Sequence, residues 1–220
     1  MIYGTINAAL MAYRKLARYL KKWNFEMNPW DPCVWNALVE GKQLTLLFHI
    51  DDVMLTHVLH NAVKECIKRL DDVCGKNDPL TVTRGKIHEN LGMTIDFRIK
   101  GQVAFSQHDA IKKFWASFLP ELKGPHRSTP APDNLFKVDQ DSPRVNSKLM
   151  EQCHAATAKC LCFSQRSRTD VQLATGFHCT RVRDASLQDA SKFKHLSGHL
   201  WLTRFLPMII LIGDKGEVHA

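Results

Sequence analysis

The chain has 220 residues, 45% of them hydrophobic and 24% charged, with a formal net charge of +8, which reads as a soluble globular piece able to bury one sizeable core or two small ones. Its longest apolar run, 205–212, is far below the roughly 20 residues of a spanning helix, and no charged stretch leads into an apolar one at the N-terminus, so a membrane partner and secretion are excluded as expectations. Seven cysteines without framework spacing fit reduced thiols in an intracellular protein, and the basic balance fits a chain that meets a polyanion.

The first predicted helix carries Tyr13, Leu16 and Leu20 on one side and Arg14, Lys15, Arg18, Lys21 and Lys22 with no acid among them. If the apolar stripe packs on a sheet, those bases point to water, yet long-range attraction to nucleic acid survives. Residues 34–39 read as a strand, and Glu40-Gly41-Lys42 as a turn into a second strand over 44–50. Residues 53–56 form a third, so Asp51 and Asp52 sit at the tip of a hairpin. Leu59, Val63, Cys66, Ile67 and Leu70 then recur at helical spacing, ending near Gly75. Met93, Ile95, Phe97 and Ile99 alternate with polar residues, and Gly101 turns into 103–105, a hairpin with one buried face. Ser106 with Asp109 opens a helix whose apolar positions are Ile111, Phe114, Trp115 and Phe118. Its Lys112 and Lys113 face either a duplex or solvent.

Residues 120–146 hold five prolines among Asp, Ser and Asn, the composition of a linker, and a domain boundary is placed there. Three helices follow at about 147–165, 170–182 and 186–203, with Ser147, Thr169 and Ser186 as caps. The chain closes on an apolar strand candidate at 207–212, a turn at Asp214-Lys215-Gly216 and the start of a returning strand.

Two adjacent carboxylates at the end of an apolar strand repel one another unless a cation compensates. Oxygen ligands of this hardness suit Mg²⁺, and the chemistry implied is phosphoryl or nucleotidyl transfer. The plain alternative is an exposed Asp-Asp turn. Cys153, His154, Cys160 and Cys162 lack a Cys-x-x-Cys pair and read better as buried small hydrophobes. His195 and His199 share i,i+4 spacing, but two ligands do not define a site.

Order and spacing along the chain resemble a copia-type retrotransposon reverse transcriptase. Residues 2–9 resemble the family's Leu-Tyr-Gly-x-x-Gln-Ala segment, with Asn7 in place of glutamine. Phe25 through Asp31-Pro32-Cys33 is similar to its Gly-Phe-x₅-Asp-Pro-Cys stretch. His49-Ile50-Asp51-Asp52 falls where the family has Tyr-x-Asp-Asp, and 91–96 resembles Leu-Gly-x-x-Ile. Ser128-Thr129-Pro130 resembles the segment closing the thumb. Arg166-Ser167-Arg168-Thr169-Asp170 resembles an Arg-Pro-Asp motif, with Thr169 where proline is expected, and 194–207 resembles, in a worn form, the stretch leading to ribonuclease H.

The resemblance implies an α+β fold: a reverse-transcriptase-like palm with an antiparallel sheet and packed helices, then a mostly helical connection region. It divides the chain into palm and thumb (1–119), linker (120–146) and connection leading to a truncated ribonuclease H domain (147–220). It implies Asp51 and Asp52 as catalytic Mg²⁺ ligands in a two-metal site. Tyr3, Gly4 and Asn7 would lie near the incoming nucleotide, with Leu91, Gly92 and Met93 at the primer. The partners implied are an RNA/DNA template-primer and deoxynucleotide triphosphates, in a cytoplasmic virus-like particle or the nucleus. The family's first catalytic aspartate precedes the Leu-Tyr-Gly segment and is absent from this chain, so the fragment is expected to be inactive in isolation. The competing expectation is a non-catalytic nucleic-acid-binding or partner-binding remnant. A different palm enzyme sharing only the acidic hairpin, such as a nucleotide cyclase, fits the collinear match poorly.

Overall fold

The computed structural model of the protein describes residues 6–50, 52–75, 79–118 and 120–211. Its elements are mixed α and β, with six α-helices and two four-stranded antiparallel sheets among the described residues, compatible with the α+β class. The chain divides into two compact units, Met1–Thr83 and Arg84–Ala220. None of the described helices is long and apolar enough to cross a membrane.

In the first unit, α1 (Ile6–Lys22) leads to the short strand β1 (Glu26–Met27), followed by β2 (Val34–Val39), β3 (Lys42–His49), β4 (Asp52–Thr56) and α2 (His60–Cys74). The strands lie in the order β1-β2-β3-β4. β2 and β3 join through Glu40 (φ 52°) and Gly41 (φ 70°), the positive pair that a tight two-residue hairpin turn requires. Alternation on β3 sends Leu44, Leu46 and Phe48 inward, where they meet Trp35, Ala17 and Leu20 from α1, and Cys66 and Leu70 from α2. Leu20 and Leu46 are fully buried. The five bases of α1 are all exposed, as the placement of the apolar stripe requires.

The second unit opens with β5 (Ile87–Asn90), β6 (Met93–Asp96) and β7 (Gln102–Ser106), then α3 (His108–Ala116), α4 (Ser147–Arg166), α5 (Gln172–Arg181), α6 (Leu187–Leu202) and β8 (Met208–Leu211). β8 pairs antiparallel with β7, Ile210 opposite Val103, and the returning strand expected after Asp214 lies outside the described residues. The helices enclose a core of Phe114, Phe118, Cys160, Phe163, Phe193 and Leu196, among others, in which Phe114 meets Phe118 and Phe163 edge-on.

Two features depart from the sequence reading. The unit boundary falls at Thr83/Arg84, whereas the proline-rich stretch 120–146 belongs to the second unit. Leu122, Leu135 and Val145 drop from that stretch into the helical core, and Val145 N donates to Ala185 O at 3.0 Å, so its apolar residues anchor what its prolines make irregular. The helix caps also shift. Asn146, not Ser147, caps α4 by accepting from Leu149 N. Gln107, without a side-chain cap bond, precedes α3, and a 3₁₀ turn over Thr169–Val171 precedes α5. Ser186 does cap α6, in a capping box with Asp189.

All seven cysteines are free thiols. Burial pushes Cys66 in the first core and Cys153 in the second up to about 11, and raises Cys160 further still.

Candidate functional site

The hairpin between β3 and β4 forms, but β3 ends at His49 and Asp52 stands in β4 and not in the turn. His49 pairs directly with Asp52 across β3 and β4, leaving a two-residue connection of Ile50 and Asp51. Ile50 has φ 58° and is 67% exposed. A positive φ there is what primed hairpin turns require, but a β-branched residue holds it only under strain. Asp51 lies outside the described residues. Asp52 is exposed and begins β4. The pairings Leu47↔Met54 and Thr45↔Thr56 continue from His49↔Asp52, so Asp52 shares its sheet face with these residues and not with Leu46 and Phe48. At the middle of that face, Gln43 Nε2 donates to Asn36 Oδ1 (3.0 Å) and to Thr45 Oγ1 (2.9 Å), and Thr45 Oγ1 donates to Asn36 Oδ1 (2.8 Å). The helices cover one face of this sheet, and Asp52 belongs to the other. Among the described residues no group of three or more His, Cys, Asp or Glu converges to hold a metal; Asp52 offers one exposed carboxylate.

Of the other expected site residues, Tyr3 and Gly4 lie outside the described residues, and Asn7 is exposed in the first turn of α1. Leu91, Gly92 and Met93 belong to the second unit. Leu91 (φ 51°) and Gly92 (φ 73°) are the two-residue turn between β5 and β6, and Met93 begins β6 opposite Asn90. The turn is tied from behind, because Arg166 Nη1 donates to Leu91 O.

The rest of the Arg166–Asp170 segment is tied in the same way. Ser167 Oγ donates to Gln107 Oε1 at 2.9 Å, both side chains buried. Arg168, 1% exposed, donates to Asp170 through Nε (2.9 Å) and Nη2 (2.7 Å), and to Thr203 Oγ1 (2.6 Å). Asp170 Oδ2 also meets His199 Nε2 at 2.9 Å. Burial pushes the Asp170 carboxyl up, but the hydrogen bonds from His199 and Arg168 outweigh it and hold it well below the usual carboxylate range. This ionic knot explains the conspicuous polar residues of the segment structurally. It also separates His199 from His195. His199 Nδ1 meets Arg127 O (3.2 Å), whereas His195 Nε2 meets Thr129 O (3.0 Å), so the two rings serve different loop carbonyls.

No family model matches this chain, and no curated protein or solved structure matches it either. Its function rests on its own residues and their arrangement.

Proposed function

We propose that the chain is the palm and connection portion of an RNA-directed DNA polymerase of the copia type, in which Asp51 and Asp52 bind Mg²⁺ at the β3–β4 tip. The observation that supports this reading is the His49↔Asp52 register, by which Asp52 opens β4 on the sheet face away from α1 and α2. An exposed acid of this kind suits a hard cation that takes one or two carboxylates and keeps water and substrate phosphates for the rest of its shell. When bound, the ion would supply charge neutralisation at a reacting phosphate. The chain's own share is positional: the apolar core under β3 fixes the strand that presents the tip. In this reading Tyr3, Gly4 and Asn7 serve the nucleotide, and the Leu91–Met93 turn serves the primer. The template-primer is the principal partner, in the cytoplasm or nucleus.

The five exposed bases of α1 and the net charge of +8 favour a second reading, a module that binds nucleic acid without copying it. Primer extension on an RNA template with Mg²⁺ separates the two. It would compare this chain, Asp51→Asn/Asp52→Asn, and a version extended upstream of Met1, beside duplex binding measured over a salt series. The polymerase reading expects extension, at least by the longer version, that the double substitution abolishes. Salt-sensitive binding with no extension by any version supports the binding module, and neither binding nor extension removes both.

A further inference from the structure

We propose that a groove in the second unit, between the loop 125–134 and the first half of α6, is a binding site for a phosphate group. It encloses about 310 Å³, and Arg127, Lys192, Lys194 and His195 line it together with Pro125, Pro132 and neutral polar side chains, with no carboxylate in the lining. A volume of this order matches small-molecule sites. Three basic residues in the lining with no acid among them leave a surplus of positive charge that a doubly charged, multi-oxygen anion neutralises, with the Arg127 fork and the Lys194 ammonium as donors.

Lys192 strengthens the case. It is 3% exposed, yet its Nζ donates only to neutral oxygens, Lys137 O at 2.6 Å and Gln188 Oε1 at 3.3 Å, and sits 5.0 Å from the Phe177 ring centroid. The acid that most influences it, Asp189, is already held by Arg181 and Ser186. A buried ammonium without its own counter-ion is costly; its Nζ rests on Lys137 O and Phe177, outside the groove lining, so an anion in the groove offsets that cost through its field and not by direct contact. Asp133, which acts on His195, Asp139, whose N donates to Gln188 Oε1, and Asp189 adjoin the groove but lie outside its lining.

The walls are built in advance. Gly124 N donates to Ser197 Oγ (3.3 Å), Ser197 Oγ to Leu122 O (2.6 Å), and the Arg127 and Thr129 carbonyls are held by His199 and His195. The Arg127 backbone is thus fixed against α6, and binding spends little on ordering it. The phosphate could belong to a free phosphorylated metabolite or to a nucleic-acid backbone, and either supplies the same oxygens.

Calorimetric titration of the full chain with inorganic pyrophosphate tests the site. Saturable binding is expected, weakened at least tenfold by Arg127→Gln/Lys194→Gln and unchanged by Lys21→Gln/Lys22→Gln, which removes the same two charges from α1. Lys192→Met should weaken binding while leaving the melting temperature undiminished, separating loss of the cation from loss of the fold. Competition by an oligo-dT decamer would assign the phosphate to a nucleic-acid strand, and pyrophosphate binding without competition would assign it to a free phosphorylated molecule. No saturable binding, or equal weakening by both double substitutions, overturns the proposal. The outcome is independent of primer extension, because no residue of the β3–β4 tip is altered.

Discussion

Gly198 of α6 lies so close to Pro125 that a methyl group on its Cα would sit 1.9 Å from the proline carbonyl oxygen, and the same approach leaves a Cβ on Gly124 1.8 Å from Lys194 O. Two glycines, one on the loop and one on the helix, let backbone meet backbone where side chains would hold them apart. Gly198→Ala is therefore expected to destabilise the protein by about 1–3 kcal/mol or more, as overpacking against an unyielding neighbour does. Gly176 in α5 has nothing within 4 Å of an added Cβ, so Gly176→Ala should gain up to about 1 kcal/mol from helix propensity. Urea denaturation of the pair should give opposite signs, and equal effects would contradict the close approach.

The strain at Ile50 can be measured in the same way. A left-handed backbone costs an L-residue roughly 1–2 kcal/mol, and asparagine tolerates it better. Because Ile50 is 67% exposed, little burial is lost on substitution. Ile50→Asn should raise the urea midpoint of the first unit, by about 1 kcal/mol in free energy. A lower midpoint would mean that the tip is not strained.

Removing Asp170 leaves Arg168 buried with its ionic partner gone. Asp170→Asn should cost about 3–5 kcal/mol, the usual penalty for an orphaned buried charge. Because the native Asp170 carboxyl lies below its ordinary value, the stability it confers is complete above about pH 4 and is lost as the pH falls further. Denaturation at pH 7 and pH 3 should show the wild type approaching the variant at the lower pH; a constant gap would refute the coupling.

Histidine accounts for a milder acid window. Burial lowers His178 to about 4, outweighing Asp189, which raises it, and its Nε2 has no partner among the described residues. A histidine kept neutral in the fold confers no penalty above its unfolded value near 6.5 and costs stability as the pH falls from there toward 4, by up to about 1.4 kcal/mol per unit. His178→Phe places a third aromatic ring beside Phe177 and Phe193, which already meet this imidazole edge-on. Its stability should vary less between pH 6.5 and 4.5 than the wild type's. His195, also lowered by burial, contributes a residual slope in both.

Periodicity made most elements legible. The strand read over 44–50 holds Leu44, Leu46 and Phe48, and the i,i+3,i+4 pattern over 59–70 holds Cys66 and Leu70, all of which the structure buries while Leu59 at the helix start stays exposed; local spacing decides most of which side faces the core. What remained hidden depended on partners distant in sequence. β5 has weak alternation and exists by pairing with β6 through the Leu91-Gly92 turn. Leu122, Leu135 and Val145 looked incidental among prolines, and their burial needs helices that come later in the chain. Of the candidate site, the β3–β4 hairpin could be read from its flanking strands. The Arg127–Lys194 groove could not, since its cations lie 67 positions apart and meet only when Gly124 and Gly198 let the loop settle on α6.

The sheltered thiols turn the molecule into a pair of independent clocks. Cys66 sits in one core and Cys160 in the other, and a thiol pushed far above its ordinary range is nearly inert to alkylating agents while enclosed. The rate at which each accepts a label therefore times the opening of its own unit, without any engineered probe. Mass spectrometry of the two peptides would report whether the units breathe together or one at a time.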